Sequence, residues 1–419
     1  MLSQNHSLRL CALVSLLACA AHSRAALPEL GILGDSLSDE YTEASYGAYA
    51  QNWPIQLVDY RGIDLGPTAA EAGQPGNTWG EPRRRGYQQN WARAGATTSS
   101  VLSSGQHTGL TAMIPTHGIA HALLVIGAND FAPGSSAYNS IYSGSWSAAQ
   151  IQNYVDGRLA NVNTALDTVL PTGVNFILAS FPDYSVAPSV EASYPNAAQR
   201  ELVTTVIAGI NSQLEQIAAD RHIVFADLFA FSKTAFGTNA APINSVTVGG
   251  NVINLNGAGV AGANGFVGDG IHPHTVLQGM LANLFLEGFN TGYKANVPLF
   301  SEAELVAHAG LPYSADTLPA ALADMAPFIH SYVPQDGDAN GDGAIDGADY
   351  TIWADHFQDT GKGFARGDFT GDTIVDGADY TIWADNFSSG EALAIPEPAS
   401  ILLAALGALA LVALARQRG

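Results

Sequence analysis

A serine directly after the first apolar run of the chain is the first residue whose type could do covalent chemistry. Ser36 lies in the hexapeptide Gly-Asp-Ser-Leu-Ser-Asp (34–39), which follows the run Leu30 to Leu33. Open α/β sheets place their reactive groups at the carboxyl ends of strands, so this position suits a nucleophile. The same hexapeptide is also typical of an ordinary turn or a helix cap. Ser36 is therefore a candidate nucleophile that needs support from other segments.

Three further segments accompany the serine in a fixed order along the chain. They are Asn90-Trp91-Ala92-Arg93-Ala94-Gly95-Ala96, Gly127-Ala128-Asn129-Asp130 and Asp269-Gly270-Ile271-His272-Pro273. Together with the serine hexapeptide, this order resembles the GDSL/SGNH hydrolases, a family of lipases and acylhydrolases. Any one segment could be a coincidence, whereas four in order make chance a poor explanation. The one departure is Ala94, where many relatives carry a second glycine.

The resemblance implies a serine esterase with a Ser-His-Asp triad. Ser36 would attack the ester carbonyl, His272 would take its proton, and Asp269 would hold the imidazole in the required tautomer. A spacing of three residues lets the aspartate and the histidine share one turn. The oxyanion of the tetrahedral intermediate would be received by the backbone N–H groups of Ser36 and Gly95 and by the side-chain amide of Asn129.

Other polar residues near these segments are interpreted as structural. His274 follows His272 by two residues, but the family pattern places the base at His272. We expect Asp130 to support its loop by hydrogen bonds and Asp35 to order the turn at the serine. Asp183 is expected to be structural or to line the substrate pocket. No Gly-x-Ser-x-Gly elbow occurs, which disfavours the α/β-hydrolase class of serine hydrolases.

The elements that must position these residues alternate between two periodicities. Short, nearly continuous apolar runs predict buried parallel strands at Leu30 to Leu33, Ala122 to Ile126, Val174 to Ala179 and Ile223 to Phe225. Between them, a spacing of three and four predicts helices over 148–170 and 196–220. The alternation predicts an α/β fold, and the resemblance implies the flavodoxin-like SGNH form of it, three α/β/α layers with a mostly parallel sheet.

Two segments interrupt this alternation. Residues 245–256 predict a β-hairpin around a Gly-Gly or Gly-Asn turn. Because the hairpin lies shortly before Asp269 in the chain, we expect it to overlie the mouth of the active site. Four prolines between Pro312 and Pro334 predict a linker that packs partly on its neighbours.

An internal repeat indicates a second kind of chemistry. Residues 346–355 recur letter for letter at 376–385, which indicates two copies of one small unit. Each copy has oxygen-bearing side chains at positions 1, 3, 5, 9 and 12 and a carbonyl at position 7, the pattern of the EF-hand calcium loop. The expected ligands are Asp338, Asn340, Asp342, Ala344, Asp346, Asp349, Asp368, Thr370, Asp372, Ile374, Asp376 and Asp379.

The repeat resembles dockerin modules, which are small, α-helical and EF-hand-like. The resemblance implies structural Ca²⁺ and a cohesin-like partner; a calcium-stiffened spacer and an acidic solvated linker are the alternatives. Thr373 replaces the glycine found at position 6 of the first copy, Gly343. A β-branched residue fits poorly where φ is positive, so we expect weaker calcium binding at the second site. No cofactor is expected for catalysis.

Composition excludes several classes of function. The 16 Lys and Arg against 38 Asp and Glu give a formal net charge of −22, which repels phosphate and disfavours nucleic-acid binding. Hydrophobic residues make up 47% and charged residues 13%, enough for a large core and unlike a disordered chain. The two cysteines, Cys11 and Cys19, both precede the predicted mature protein, which would have no disulfide, thiolate metal site or cysteine nucleophile.

Both ends of the chain have sequence patterns that are typical of targeting signals. A short apolar run before Ala25 predicts a secretory signal peptide, with a lipidated Cys19 as the alternative. Pro396-Glu397-Pro398, the apolar stretch 401–415 and a basic end resemble the PEP-CTERM sorting signal of Gram-negative bacteria. This implies a sorting protease of the exosortase type and a location at the outer surface or outside the cell, with transient or permanent C-terminal anchoring. An ordinary C-terminal membrane anchor is the alternative.

These signals predict an exported serine esterase that acts on lipid or acylated-polysaccharide esters. The competing hypothesis is a catalytically silent surface or scaffold-associated protein that binds through its calcium-dependent module. The predicted regions are a signal peptide (1–25), a hydrolase domain (26–311), a linker (312–335), a dockerin-like module (336–390) and a sorting segment (394–419).

Overall fold

The computed structural model describes residues 29–387, so the predicted signal peptide and sorting segment lie outside the described residues. Among the described helices, none combines the length and the hydropathy needed to cross a membrane. The strands are β1 (Leu30–Gly34), β2 (His121–Val125), β3 (Asn175–Ala179), β4 (Val224–Ala226), β5 (Ser245–Val248), β6 (Asn251–Ala258), β7 (Asn264–Phe266) and β8 (Ile329–Ser331). The α-helices are α1 (Trp53–Arg61), α2 (Thr98–Ser103), α3 (Gln106–His117), α4 (Ser136–Tyr142), α5 (Ala148–Val169), α6 (Pro188–Ser193), α7 (Ala197–Asp220), α8 (Leu228–Phe236), α9 (Thr275–Tyr293), α10 (Glu302–His308), α11 (Ala320–Ala323), α12 (Gly347–His356) and α13 (Gly377–Asn386).

A five-stranded sheet with the order β1-β2-β3-β4-β8 organises the larger part of the chain. Its first four strands run parallel, and β8 runs antiparallel to β4. Every residue of β1, β2, β3 and β4 is buried, as the continuous apolar runs predict. The four predicted strands and the mostly parallel α/β fold are confirmed.

Alternate residues of the strands feed two cores, one on each face of the sheet. Ile32 and Val125 face one core, together with α1, α8 and α9. Leu33 and Leu124 face the other, together with α3, α5 and α7. The three layers follow from this division, because a sheet buried on both faces needs helices on both. The two long predicted helices are confirmed as α5 and α7.

The predicted hairpin forms around its predicted Gly-Gly turn, but the turn lies against α10 and not over the mouth of the active site. β5 and β6 pair antiparallel around Gly249 and Gly250. A Cβ on Gly249 would lie 2.9 Å from the Val306 side chain, so the turn packs against α10. The side chains of Val248 and Ile253 are fully buried in the core and draw the hairpin against the body of the protein. Only the end of β6 approaches the segment that carries Asp269, because Ala258 lies beside Gly270.

The segment predicted as a linker, residues 312–335, contributes to the sheet itself. Its strand β8 pairs with β4 from Val224↔Ser331 to Ala226↔Ile329 and forms an edge of the sheet. Residues 329–331 are too few to show the two-residue period of a strand, so the prolines alone indicated a linker here. The α/β unit therefore extends about twenty residues beyond residue 311.

The two copies of the repeat form a pair of helices, α12 and α13, as the resemblance to a small α-helical module implies. Trp353 Nε1 donates to the Asp376 carbonyl at 2.9 Å, and Trp383 Nε1 donates to the Asp346 carbonyl at 3.0 Å. Because each tryptophan reaches the start of the other copy's helix, the pair is held by two equivalent bonds.

The helix pair packs directly on the α/β unit, at the end of the sheet opposite to Ser36. Phe364 N donates to Asn175 Oδ1 at 2.8 Å, at the first residue of β3. Lys294 Nζ donates to Asp336 Oδ2 at 2.6 Å and to the Phe369 carbonyl at 2.8 Å. Phe364 and Phe369 are buried in the same core cluster as the sheet. The repeat is thus part of the packed body of the protein.

Asn175→Ala should lower the free energy of unfolding by about 1 to 3 kcal/mol, because it leaves the buried N–H of Phe364 without its acceptor. Urea denaturation of the purified protein measures the change. Asn153→Ala, at an exposed position of α5, is the matched control and should have little effect. Equal stability of the two variants would contradict this view of the contact.

Candidate active site

Ser36 lies in a tight turn at the carboxyl end of β1. The N–H groups of Ser38 and Asp39 donate to the Asp35 carbonyl at 3.0 and 2.9 Å and close the turn. A Cβ at Gly34 would lie 2.4 Å from the Val125 carbonyl oxygen, so only glycine allows β1 and β2 to approach here. The serine is 8% exposed, on a rigid element at the edge where the parallel strands end.

Asp269 and His272 share one turn between β7 and α9, as their spacing predicts. Asp269 Oδ1 accepts hydrogen bonds from the N–H groups of Ile271 and His272 at 2.9 and 3.0 Å. Val267 N donates to the His272 carbonyl at 2.9 Å, which anchors the turn next to β7. The backbone of the turn is therefore fixed by the carboxylate that also contacts the imidazole.

A continuous chain of hydrogen bonds joins the three residues. His272 Nδ1 lies 2.6 Å from Asp269 Oδ2, and His272 Nε2 lies 2.7 Å from Ser36 Oγ, across 236 positions of sequence. Burial acts to raise the pKa of Asp269, but hydrogen bonds from the side chain and backbone of His272 outweigh it and leave that pKa lowered. The aspartate is thus held as a carboxylate beside the imidazole, and the other ring nitrogen faces the serine.

Gly95 and Asn129 lie on the loops that flank the serine turn. Arg93 N donates to the Gly34 carbonyl at 3.0 Å, so the segment that carries Gly95 runs beside the end of β1. Asn129 follows β2, and its Nδ2 donates to the Ala96 carbonyl at 3.0 Å. Within residues 29–387, the backbone N–H groups of Ser36 and Gly95 have no hydrogen-bond acceptor.

The residues interpreted as structural take those roles. His274 is fully buried, and its Nδ1 accepts from Thr275 N at 2.8 Å to cap α9, so it has no part in the serine chain. Asp130 accepts from Thr98 N at 2.8 Å, and Asp35 accepts from Leu37 N at 3.0 Å. These three expectations are confirmed.

Three tyrosines that sequence reasoning missed surround the histidine. The Tyr46 ring stacks on the His272 ring with centroids 5.6 Å apart and an interplanar angle of 29°. Tyr41 Oη donates to the Pro273 carbonyl at 2.9 Å, and Tyr49 Oη accepts from Gly268 N at 3.0 Å. Their only sequence signal is three tyrosines between residues 41 and 49, shortly after the serine.

Two buried carboxyl groups lie near the serine. Burial raises the pKa of Asp35 to about 7, although the hydrogen bond from the Leu37 N–H opposes the rise. Burial raises the pKa of Glu40 to about 8, although Tyr87 N donates to its carboxyl at 2.9 Å. Both groups therefore hold a proton well above the pH at which an exposed carboxyl loses it.

The residues predicted to bind calcium form two loops with the same internal hydrogen bonds. The position-1 carboxylates accept from the N–H at position 6, Gly343 N to Asp338 Oδ2 and Thr373 N to Asp368 Oδ2, both at 2.9 Å. The position-12 carboxylates, Asp349 and Asp379, are fully buried. The φ angles at position 6 are +84° for Gly343 and +68° for Thr373, so Thr373 adopts the positive φ that a β-branched residue fits poorly.

The ligands predicted at position 9 of each loop also cap the helix that follows. Asp346 and Asp376 cap α12 and α13 by accepting from Ala348 N and Ala378 N, each at 2.7 Å. Across residues 29–387, no group of three or more His, Cys, Asp or Glu side chains is placed as a ready metal site. The oxygen donors and the path of the loops are of the kind that binds calcium. Their carboxylates do not converge on one point in the described residues.

A comparison with family profiles shows the class of enzyme to which the chain belongs. Residues 30–285 match the profile of the GDSL-like Lipase/Acylhydrolase family, more than half of the chain, so the chain belongs to that family and is an ester-bond hydrolase. Residues 394–418 match the PEP-CTERM protein-sorting motif, which marks the chain for export through an exosortase system. No curated protein matches the chain.

The chain is also similar, at low sequence identity, to several solved structures. The extracellular lipase of Streptomyces rimosus is 16% identical, with a TM-score of 0.35 over 59% of this chain and 92% of that one. Phospholipase A1 of Streptomyces albidoflavus is 17% identical, with a TM-score of 0.33 over 59% and 92%. The acetylxylan esterase of Geobacillus stearothermophilus is 16% identical, with a TM-score of 0.32 over 62% and 94%.

Glu40→Gln should make stability less dependent on pH between about 4.5 and 8, the ordinary and the raised pKa of this carboxyl. A raised folded-state pKa contributes stability that is fully present below the unfolded-state pKa and is lost as the pH rises through the folded-state pKa. Urea midpoints across this range measure the effect. Glu71→Gln is the control: hydrogen bonds from Thr68 lower the pKa of Glu71, so that group titrates below this window. Parallel curves for wild type and Glu40→Gln would contradict the assignment.

Proposed function

We propose that this hydrolase cleaves carboxylic esters through an acyl-enzyme on Ser36, with His272 as the base and Asp269 as its orienting partner. The proposal rests on the hydrogen-bond chain of 2.7 and 2.6 Å that joins these three side chains. As Ser36 Oγ attacks the carbonyl carbon, its proton passes to His272 Nε2. Asp269 accepts from Nδ1 and stabilises the imidazolium that forms.

The negative charge that develops on the carbonyl oxygen needs hydrogen-bond donors. We assign this role to the backbone N–H groups of Ser36 and Gly95 and to the side chain of Asn129. The two backbone groups have no acceptor among the described residues, which leaves them available. The amide of Asn129 uses one N–H on the Ala96 carbonyl and has a second to offer. Each donor of this kind contributes on the order of 3 kcal/mol in the transition state.

Collapse of the intermediate releases the alcohol, which takes the proton from His272. Water then attacks the acyl-enzyme with the same histidine as base, and the acid leaves. The PEP-CTERM motif directs the chain out of the cell, so its substrate would be an extracellular lipid or acylated polysaccharide. The intact hydrogen-bond chain weighs against a catalytically silent protein.

We further propose that the repeat binds calcium and stabilises the hydrolase to which it is packed. Two observations favour this: both loops fold with the same bonds from position 6 to position 1, and both bury a carboxylate at position 12. Buried carboxylates without a cation are costly, and bound calcium would remove that cost. Because Phe364 and Phe369 join the core of the sheet, loop order is coupled to the α/β unit. We assign the end of the hydrolase domain to residue 331 rather than 311, and a cohesin-like partner stays a prediction.

Ser36→Ala should reduce turnover of p-nitrophenyl acetate by at least about a thousandfold, and Asp269→Asn by on the order of a thousandfold or more, with the fold unchanged. Steady-state rates and circular dichroism measure these effects. Ser45→Ala, at an exposed position in the same region, is the matched control and should keep the wild-type rate. Undiminished turnover by Ser36→Ala would sink the mechanism.

Thr373→Gly should tighten calcium binding at the second loop. A left-handed conformation costs a β-branched residue about 1 to 2 kcal/mol, and glycine adopts it without that cost. Gly343→Thr makes the reverse change in the first loop and should weaken binding there. Calorimetric titration with calcium measures both, and chelator should lower the melting temperature of the whole protein. A wild-type protein that takes up no calcium and melts identically with chelator would refute the proposal.

A further inference from the structure

A mainly apolar cavity of about 50 Å³ lies beside the proposed triad. Leu37, the residue after Ser36, contributes to its wall, and so do Ile271 and Pro273, the two neighbours of His272. Its other walls come from the loop after β3, from α8 and from α9. Three wall residues are therefore immediate sequence neighbours of Ser36 and His272, the two residues between which the proton would pass.

We propose that this cavity receives the acyl group of the substrate and limits the enzyme to esters of short acids. The inference rests on the proposed function of Ser36 and adds the substrate class to it. Four of its wall residues, Leu228, Phe231, Leu277 and Leu281, are at most 5% exposed, so a group inside would be removed from water. Hydrocarbon gains from such burial in proportion to its area.

The size of the cavity sets the length of the acid. A volume of 50 Å³ holds roughly four groups of the size of a water molecule. An acid of about two to four carbons fills it, since a methylene is of similar size. The wall rings are packed: Phe231 contacts Phe328 behind the wall, and Phe236 contacts Phe266 within it, each pair with centroids 5.6 Å apart. Longer acids would have to displace these rings, and close-packed interiors resist that.

The one charged wall residue offers no site to a polar acid. Asp183 Oδ1 accepts from Ser185 N at 2.9 Å, and Oδ2 accepts from the hydroxyls of Ser185 and Thr204 at 2.8 and 2.7 Å and from Lys233 Nζ. These bonds tie the loop after β3 to α7 and α8 and make the wall rigid. With both oxygens engaged, the carboxylate leaves hydrocarbon as the group that fits.

The same chemistry excludes the alcohol half of a carbohydrate or glycerol ester from the cavity. The wall is mainly hydrocarbon and offers only two side-chain hydroxyls, those of Tyr184 and Ser232, so the several hydroxyl groups of such an alcohol would lose water with few hydrogen-bond partners. The alcohol would lie instead on the exposed side of the site, where the half-buried Tyr46 stacks on His272. Acyl length and alcohol identity should therefore be controlled by different residues.

Two series of esters test this inference on the full-length exported protein. One varies the acid of p-nitrophenyl esters from acetate to dodecanoate, and the other varies the alcohol of alkyl acetates. In the acid series, kcat/KM should rise about fourfold per methylene while the chain still fits, then fall for octanoate and longer. Val186 lines the cavity, and Val186→Phe, which fills it, should abolish the gain in kcat/KM from acetate to butyrate. Val186→Ala should move the optimum to longer acids.

Val260→Phe is the matched control, because Val260 is 70% exposed and lies outside the cavity. It should leave both series unchanged. An acid series that rises without a break to dodecanoate would overturn the inference, and so would variants of Val186 that change only the alcohol series. Loss of the serine mechanism itself would appear separately, as undiminished turnover by Ser36→Ala or as no turnover of any ester by the wild type.

Discussion

The hydrogen bond between Ser36 Oγ and His272 Nε2 is the contact on which the site depends. It joins groups 236 positions apart at a distance of 2.7 Å, so two separate parts of the fold must agree in position. One part is the carboxyl end of β1, and the other is the turn between β7 and α9. Tyr41 links them, because its hydroxyl donates to the Pro273 carbonyl and accepts from Gln278 of α9. The position of the imidazole is therefore set by packing around the pair as well as by its partner Asp269.

That packing has an electrostatic cost close to the nucleophile. Asp35 and Glu40 are both buried, and burial raises the pKa of each. Their acceptor oxygens nevertheless hold the backbone N–H groups of Leu37 and Tyr87, which order the segment around the serine. A tight turn that leaves the N–H of Ser36 without an acceptor needs such support from side chains. The serine turn is thus ordered by two buried carboxyl groups, and their ionisation destabilises the folded state as the pH rises.

The two proposed functions lie at opposite ends of the central sheet. The chain is an ester-bond hydrolase, and we propose that hydrolysis takes place at the carboxyl ends of the parallel strands, where Ser36 and His272 meet. The repeat packs at the amino end of β3 through Asn175 and near the end of α9 through Lys294. Since α9 begins just after the triad turn and ends beside the repeat, one rigid helix spans the distance between them. Loop order in the repeat and geometry at the serine can therefore share one structural support.

The amino-acid sequence by itself determined the parallel strands, the long helices, the hairpin, the helix pair of the repeat and the serine, histidine and aspartate that meet in the structure. These features depend on periodicity and on short motifs, which are local properties of the chain. Only the tertiary structure decided that Tyr46 stacks on His272, that residues 329–331 complete the sheet, that the hairpin turn rests on α10, and that the repeat is packed on the α/β unit. Each of these contacts joins residues distant in sequence, and its energy comes from burying surfaces that no local pattern pairs.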